Sequence, residues 1–234
     1  MTKVVASPAF WWRAVLVVVG VLGLLSGTHR LTFYTTQTTV LTLAYFGAGL
    51  YWAVRRGTAD PAAPRLRGAV TLWIMITALV SHFVNNHGAN PLPGLTDADP
   101  ATALANRSVF VLHYVLPAMV LIDWLGFGPR RTARWRDLPL WLIWPTAYVL
   151  LSVFRALAFP EVQNRYPYAF LDPTEGGYGG VVLGVLRLAV GIIALGAALI
   201  GLDRLLSRRP AVAALTPDPA TPDAATEAPA PATT

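Results

Sequence analysis

Six long apolar runs dominate this sequence, at roughly 10–27, 32–54, 68–84, 108–127, 138–158 and 180–206. Each is close to the ~17–25 residues that cross ~30 Å of hydrocarbon. Lipid offers no partner to backbone N–H and C=O groups, so a crossing segment must be a helix or a strand of a closed barrel. Barrel strands alternate polar and apolar residues, whereas these runs are apolar on all sides. They predict an all-α, polytopic membrane protein, a bundle of about six transmembrane helices, multi-pass in the cell membrane. Charge agrees: 13% of the 234 residues are charged and 55% are hydrophobic, against about 25% charged in a soluble domain.

Loop charges predict the orientation. Arg55, Arg56, Arg65 and Arg67 follow the second run, and Arg130, Arg131, Arg134 and Arg136 follow the fourth. Arg204, Arg208 and Arg209 close the sixth. The other three loops hold one arginine each, Arg30, Arg107 and Arg165, beside Asp97, Asp99, Glu161, Asp172 and Glu175. Basic and non-basic loops alternate, which puts both chain ends in the cytoplasm (N-in, C-in). Lys3 and Arg13 agree with this. The same distribution argues against nucleic acid as a partner, because the net charge of +6 is spread over short loops and forms no basic face. The first run has an alternative reading as a signal peptide, with Ser26-Gly27 near a cleavage site, but Trp11 and Trp12 flank it as interfacial anchors do. The membrane domain is expected over 1–209. Residues 210–234 are Pro, Ala and Thr with Asp218, Asp223 and Glu227, and are expected to form a disordered cytoplasmic tail, since they cannot bury apolar surface.

Polar groups inside membrane spans mark functional sites by default. The second run opens Thr32-Phe33-Tyr34-Thr35-Thr36-Gln37-Thr38-Thr39. His82 ends the third run, followed by Asn85, Asn86 and His87. His113 lies about two turns into the fourth run, Arg155 about one turn from the end of the fifth, and Arg187 about two turns into the sixth. With the orientation above, all fall in the outer half of the bilayer, with Thr35, His113 and Arg187 roughly 7–12 Å deep. Residues that share a depth on adjacent helices can line one cavity open to the outer leaflet. Each also has a structural reading. Threonine hydroxyls bond the carbonyl four residues back, arginines snorkel to headgroups, and a histidine bridges two helices. Asp123 and Trp124, at the inner end of the fourth run, pair with a loop arginine or anchor the interface.

A hydroxyl beside an imidazole is sufficient for nucleophilic acyl transfer. Neutral histidine takes the threonine proton as the oxygen attacks a carbonyl, and water hydrolyses the acyl-enzyme. The oxyanion needs a donor; Arg155, Arg187, His82 and a backbone N–H are all open. No Gly-x-Ser-x-Gly elbow and no His-Glu-x-x-His is present, which removes α/β-hydrolase and zincin chemistry. With no cysteine and four scattered histidines, no metal and no cofactor is expected.

The stretch His113-Tyr-Val-Leu-Pro117-Ala-Met-Val-Leu-Ile-Asp123-Trp124 resembles the His-x-x-Leu-Pro-x-x-Leu-Ile-Glu/Asp stretch of the androgen-induced, FAR-like integral membrane proteins and their bacterial relatives. Similar pieces are Tyr34-Thr35-Thr36-Gln37-Thr38-Thr39, Trp141-Leu-Ile-Trp-Pro145-Thr-Ala-Tyr148 and Tyr166-Pro167-Tyr168-Ala-Phe170-Leu171-Asp172. The resemblance covers about residues 10 to 206. It implies a membrane hydrolase that cleaves fatty acid esters of hydroxy fatty acids with a threonine and a histidine. The histidine carries over to His113 through His-x-x-Leu-Pro. The threonine falls on Thr35 by its distance to Phe46-Gly47, or on Thr32 by the Leu31-Thr32-Phe33 context. The family's Asn-His pair just before the catalytic histidine is absent: Val111-Leu112 stand there, and Asn86-His87 lie in the preceding loop. The expectation is therefore Thr35 as nucleophile and His113 as base, with Arg155, Arg187, His82 and Gln37 around a lipid-like ester. The rival expectations are a non-enzymatic binder or transporter of an amphipathic anion, and a membrane scaffold.

Overall fold

A computed structural model of the chain describes residues 2–207. Arg208, Arg209 and the tail expected to be disordered lie outside the described residues. Among the described residues the fold is entirely helical, without strands. The long helices are α1 Pro8–Leu25, α2 Tyr34–Arg56, α3 Pro64–Asn85, α4 Pro100–Gly126, α5 Trp135–Ala158 and α6 Gly177–Leu206.

Five of these helices are long and apolar enough to cross a membrane. The exception is α2, which has the length, 23 residues, but is diluted by its Thr-Thr-Gln-Thr-Thr opening. Packing explains the dilution. Thr35, Thr36, Thr38, Thr39 and Thr42 are all buried, so the polar stripe of α2 faces its neighbours and not its surroundings. None of these threonines bonds the carbonyl four residues back, the behaviour expected of membrane threonines; Thr71, on α3, does so, donating to Arg67 O at 2.9 Å. In α2 the Thr35 hydroxyl meets His113 on α4 and Thr38 Oγ accepts the Trp144 indole N–H of α5, while Thr39 and Thr42 Oγ are buried without a hydrogen-bond partner.

Two helix starts differ from the apolar runs. Helix α2 begins at Tyr34 because Phe33 is extended, with φ −89° and ψ 138°, and Thr32 therefore precedes the helix. Helix α4 begins at Pro100, well before the run at 108. Its polar first turns are nucleated by Asp99, whose carboxylate accepts the N–H groups of Ala101 and Thr102, with proline at the first helical position.

Helix α3 is the hub, packing on α2, α4, α5 and α6, while α1 lies against α2 and α4. Leu16, Phe46, Val70, Ile74, Leu112 and Leu116 form one core cluster. Trp124, Trp141, Leu72 and Leu199 belong to a second. A β-carbon at Gly23 would meet Leu112 Cδ2 at 2.8 Å and Val111 Cγ1 at 2.9 Å, so glycine allows the close approach of α1 to α4 and a larger residue would require those side chains to shift.

Two prolines disturb the helix ladders where the disturbance is used. Pro145 has no N–H for the Trp141 carbonyl four residues back. That carbonyl instead accepts the Trp73 indole N–H at 2.7 Å, and α5 is interrupted at Leu142. Pro117 likewise leaves the His113 carbonyl without its usual donor, and the residues before it, Val111–Val115, form a π-helical segment. A second π-helical segment, Val80–Asn85, ends α3.

At the opposite end of α4, Asp123 is fully buried. It accepts Arg13 Nε at 2.8 Å and Arg67 Nε at 2.9 Å. Arg67 also donates to the carbonyls of Asp123 and Phe127 and lies 5.4 Å over the Trp124 ring. This buried triad ties α1, α3 and α4 together.

Candidate active site

The site forms where α2 begins, α3 ends and α4 passes. Thr35 is the second residue of α2, and its Oγ lies 3.0 Å from Nε2 of His113 on α4. The other ring nitrogen, Nδ1, is 2.9 Å from the Val109 carbonyl. A carbonyl only accepts, so Nδ1 carries the proton, and Nε2 of the neutral ring presents its lone pair to the Thr35 hydroxyl. The carbonyl one turn back thus fixes the orientation of the ring.

The first intrahelical bond of α2 runs from Gln37 N–H to the Phe33 carbonyl. The N–H groups of Tyr34, Thr35 and Thr36 therefore have no partner within the helix. Those of Tyr34 and Thr35 reach the Tyr168 phenol oxygen, which leaves the Thr36 N–H, at the positive end of the helix dipole, as the natural donor to an oxyanion.

Thr35 and His113 sit at the junction of two cavities. One, of about 240 Å³, is almost wholly apolar; Ile76, Val149, Leu188 and Ile192 are among its walls. The other, of about 670 Å³, is half polar and includes Asn85, Asn86, Asn90 and Asn106. Thr35, His113, Ser81, Asn85 and Tyr168 line both.

Tyr168 comes from the segment between α5 and α6. Its ring meets Phe33 edge-on at 6.0 Å, packs against Tyr148 at 6.2 Å and stacks on Phe170 at 5.3 Å. Burial pushes its phenol above the ordinary tyrosine value, so it remains a neutral O–H beside Thr35. The segment is anchored at its start. Arg155 donates from Nη1 to the Asn164 carbonyl at 3.0 Å and from Nη2 to the Gln163 carbonyl at 2.9 Å, and Arg165 returns Nε to the Ala156 carbonyl at 2.9 Å.

Arg155, Arg187, His82 and Gln37, expected around the substrate, are not gathered at the pair, whereas Asn85 lines both cavities beside it and Asn86 lines the polar one. Arg155 is committed to the carbonyls just described, and Arg187 is exposed on α6; neither lines either cavity. His82 places Nδ1 3.2 Å from the Tyr114 hydroxyl, and Gln37 donates to the Leu31 carbonyl at 2.5 Å. Thr32 Oγ is buried without a hydrogen-bond partner, and its carbonyl accepts the Tyr148 hydroxyl at 2.8 Å.

Sequence reading missed Tyr168, Ser81 and His29 as wall residues. Tyr168 was signalled only by the aromatic Tyr166-Pro167-Tyr168 cluster. His29 places Nε2 2.6 Å from Ser108 Oγ, and Ser108 donates to the Gly23 carbonyl at 2.7 Å. In this second hydroxyl–imidazole pair the serine proton is already given to a carbonyl, so His29 is the donor and Ser108 is not activated as a nucleophile. No group of three or more His, Cys, Asp or Glu that could hold a metal ion is present among the described residues. Comparison of the chain with protein-family models, curated proteins and solved structures finds no significant match.

Proposed function

We propose that this chain is an intramembrane hydrolase of lipid-like esters, kin to the androgen-induced, FAR-like membrane proteins, with Thr35 as nucleophile and His113 as general base. The observation that carries this reading is the 3.0 Å approach of Thr35 Oγ to a His113 Nε2 whose tautomer is set by the Val109 carbonyl. The proposal includes six spans in the cell membrane, with α2 as the sixth span, and both chain ends in the cytoplasm. The arginine-rich loops after α2 and α4 support that orientation, which opens the polar cavity to the outer face.

The chemistry follows from the geometry. Thr35 Oγ attacks the ester carbonyl carbon as its proton passes to His113 Nε2. The carbonyl oxygen becomes an oxyanion beside the Thr36 N–H at the start of α2. As the carbon–oxygen bond to the alcohol breaks, His113 returns the proton to the departing oxygen, and Thr35 is left acylated. Water from the polar cavity then gives a proton to His113 and attacks the acyl carbon. Collapse of the second tetrahedral intermediate releases the carboxylic acid and restores the Thr35 hydroxyl.

A carrier of amphipathic anions is less well supported, because it calls for a cation on the cavity wall and both Arg155 and Arg187 lie elsewhere. A scaffold leaves the apolar cavity and the oriented base without a use. Labelling of purified protein by an acyl-directed covalent probe tests the proposal. Wild type and Thr35→Ser should label, Thr35→Ala should not, and His113→Ala should label about 10²–10⁴-fold more slowly, the usual contribution of a general base. Equal labelling of wild type, Thr35→Ala and His113→Ala would end the hydrolase reading.

A further inference from the structure

Resting on the hydrolase reading, we infer that the substrate is a medium-chain acyl ester of a neutral, hydroxyl-rich alcohol, of the glyceride kind, and not an ester whose alcohol half carries an acid. Two cavities of opposite character meet at Thr35, and an ester has two halves on either side of its carbonyl. The acyl half fits the apolar cavity, whose exposed wall is mostly hydrocarbon although Thr35, His113 and seven other hydroxyl- or amide-bearing residues contribute to it. Burying an alkyl chain there is favourable by about 0.8 kcal/mol per methylene. The alcohol half then falls in the polar cavity.

The α6 wall gives the length of chain that the cavity holds. The α6 side of the apolar cavity runs from Val185 to Ile193, which is ~12 Å at ~1.5 Å per residue. An extended alkyl chain with carbon–carbon bonds of ~1.52 Å advances ~1.25 Å per carbon, so this wall accommodates about ten carbons.

The polar cavity sets the leaving group. Its walls hold asparagines, threonines, Ser81, Tyr114 and Tyr168, and no lysine, arginine, aspartate or glutamate. Amides and hydroxyls both give and accept hydrogen bonds, which suits a polyol. A carboxylate or phosphate would find no permanent cation. The titratable wall groups besides His113 are His29, Tyr114 and Tyr168. His29 Nε2 is held by Ser108 and the Gly23 carbonyl. Two arginines adjoin wall residues in sequence: Arg107, beside Asn106, donates from Nε to the Leu95 carbonyl at 3.0 Å, and Arg30, beside His29, is exposed and is not itself a wall residue.

The test uses the purified full chain in detergent with butyryl, decanoyl and palmitoyl monoacylglycerol and a decanoyl ester of a hydroxy fatty acid. Decanoyl glycerol should be cleaved fastest, and the acid-bearing ester at least about tenfold more slowly. Ala189→Trp, which fills the apolar cavity, should lower the decanoyl-to-butyryl ratio at least about tenfold. Ile192→Ala, which enlarges it, should shift preference toward palmitoyl. Thr35-dependent cleavage with equal or faster turnover of the acid-bearing ester, or with a chain preference that neither variant moves, would overturn this inference and leave the hydrolase standing. Absence of Thr35-dependent cleavage of every ester would overturn both.

Discussion

His113 donates through Nδ1 to the carbonyl of Val109, 2.9 Å away and one turn back in the same helix. The ring is thereby held with Nε2 toward Thr35. His113 lies in the π-helical segment Val111–Val115, which ends two residues before Pro117. Local widening of a helix re-aims the side chains it carries.

Pro117→Ala tests whether that widening aims the base. Alanine restores an N–H able to bond the His113 carbonyl and favours regular α-helix. The expected result is a loss of about tenfold or more in the rate of acyl-probe labelling, a modest part of what a general base contributes, with the thermal unfolding midpoint unchanged or raised. Unchanged labelling would show that the π turn does not position the base.

Arg155 and Arg187 should separate cleanly. Arg155 secures the segment that carries Tyr168, so Arg155→Ala should raise KM and slow labelling by several-fold as that segment loosens. Arg187 is exposed on α6, and Arg187→Ala should match wild type in both. Ester kinetics on the two variants side by side decide the matter. A large loss at Arg187 would mean that this arginine reaches the substrate.

Asp123 balances two buried guanidiniums. Asp123→Ala removes the partner of both and should cost about 3–5 kcal/mol, the usual penalty for breaking a buried ion pair from one side. Unfolding midpoints in detergent measure it. Protein that remains folded should label at the wild-type rate, because the triad lies at the other end of α4 from His113.

Asp99 gives a pH signature. Hydrogen bonds from Thr102 and from the Thr102 and Ala101 amides hold its carboxyl below the ordinary value of 3.8. Its folded pKa is depressed, so the stabilisation is fully present above 3.8 and disappears as pH falls through the lower folded value. Asp99→Ala should therefore unfold more easily than wild type at pH 7. The gap should close only in strong acid, as unfolding curves across pH would reveal.

Much of this was legible in the sequence for reasons that are local. Apolar runs of membrane-crossing length announce helices, because hydropathy and backbone hydrogen bonding are decided within a segment. That Thr35 and His113 intrude as polar groups at a similar level on different helices was legible as well, although not that they touch. Boundaries were less so: Thr32 falls outside α2 because Phe33 is extended, and α4 reaches back to Pro100 because Asp99 caps a stretch too polar to register as a span.

By itself, then, the sequence determined an all-helical chain, the apolar segments and the level at which polar groups occur. Tertiary structure decided which of those groups meet. Thr35 and His113 are 78 residues apart and Arg13 and Asp123 are 110 apart. Their contacts depend on how each helix is rotated about its axis and which neighbour it packs against. Hydropathy reports depth and is silent about rotation. For that reason Arg155 turned to loop carbonyls and Arg187 to the exposed surface of α6, while Tyr168, from a loop that hydropathy passes over, came to stand beside Thr35.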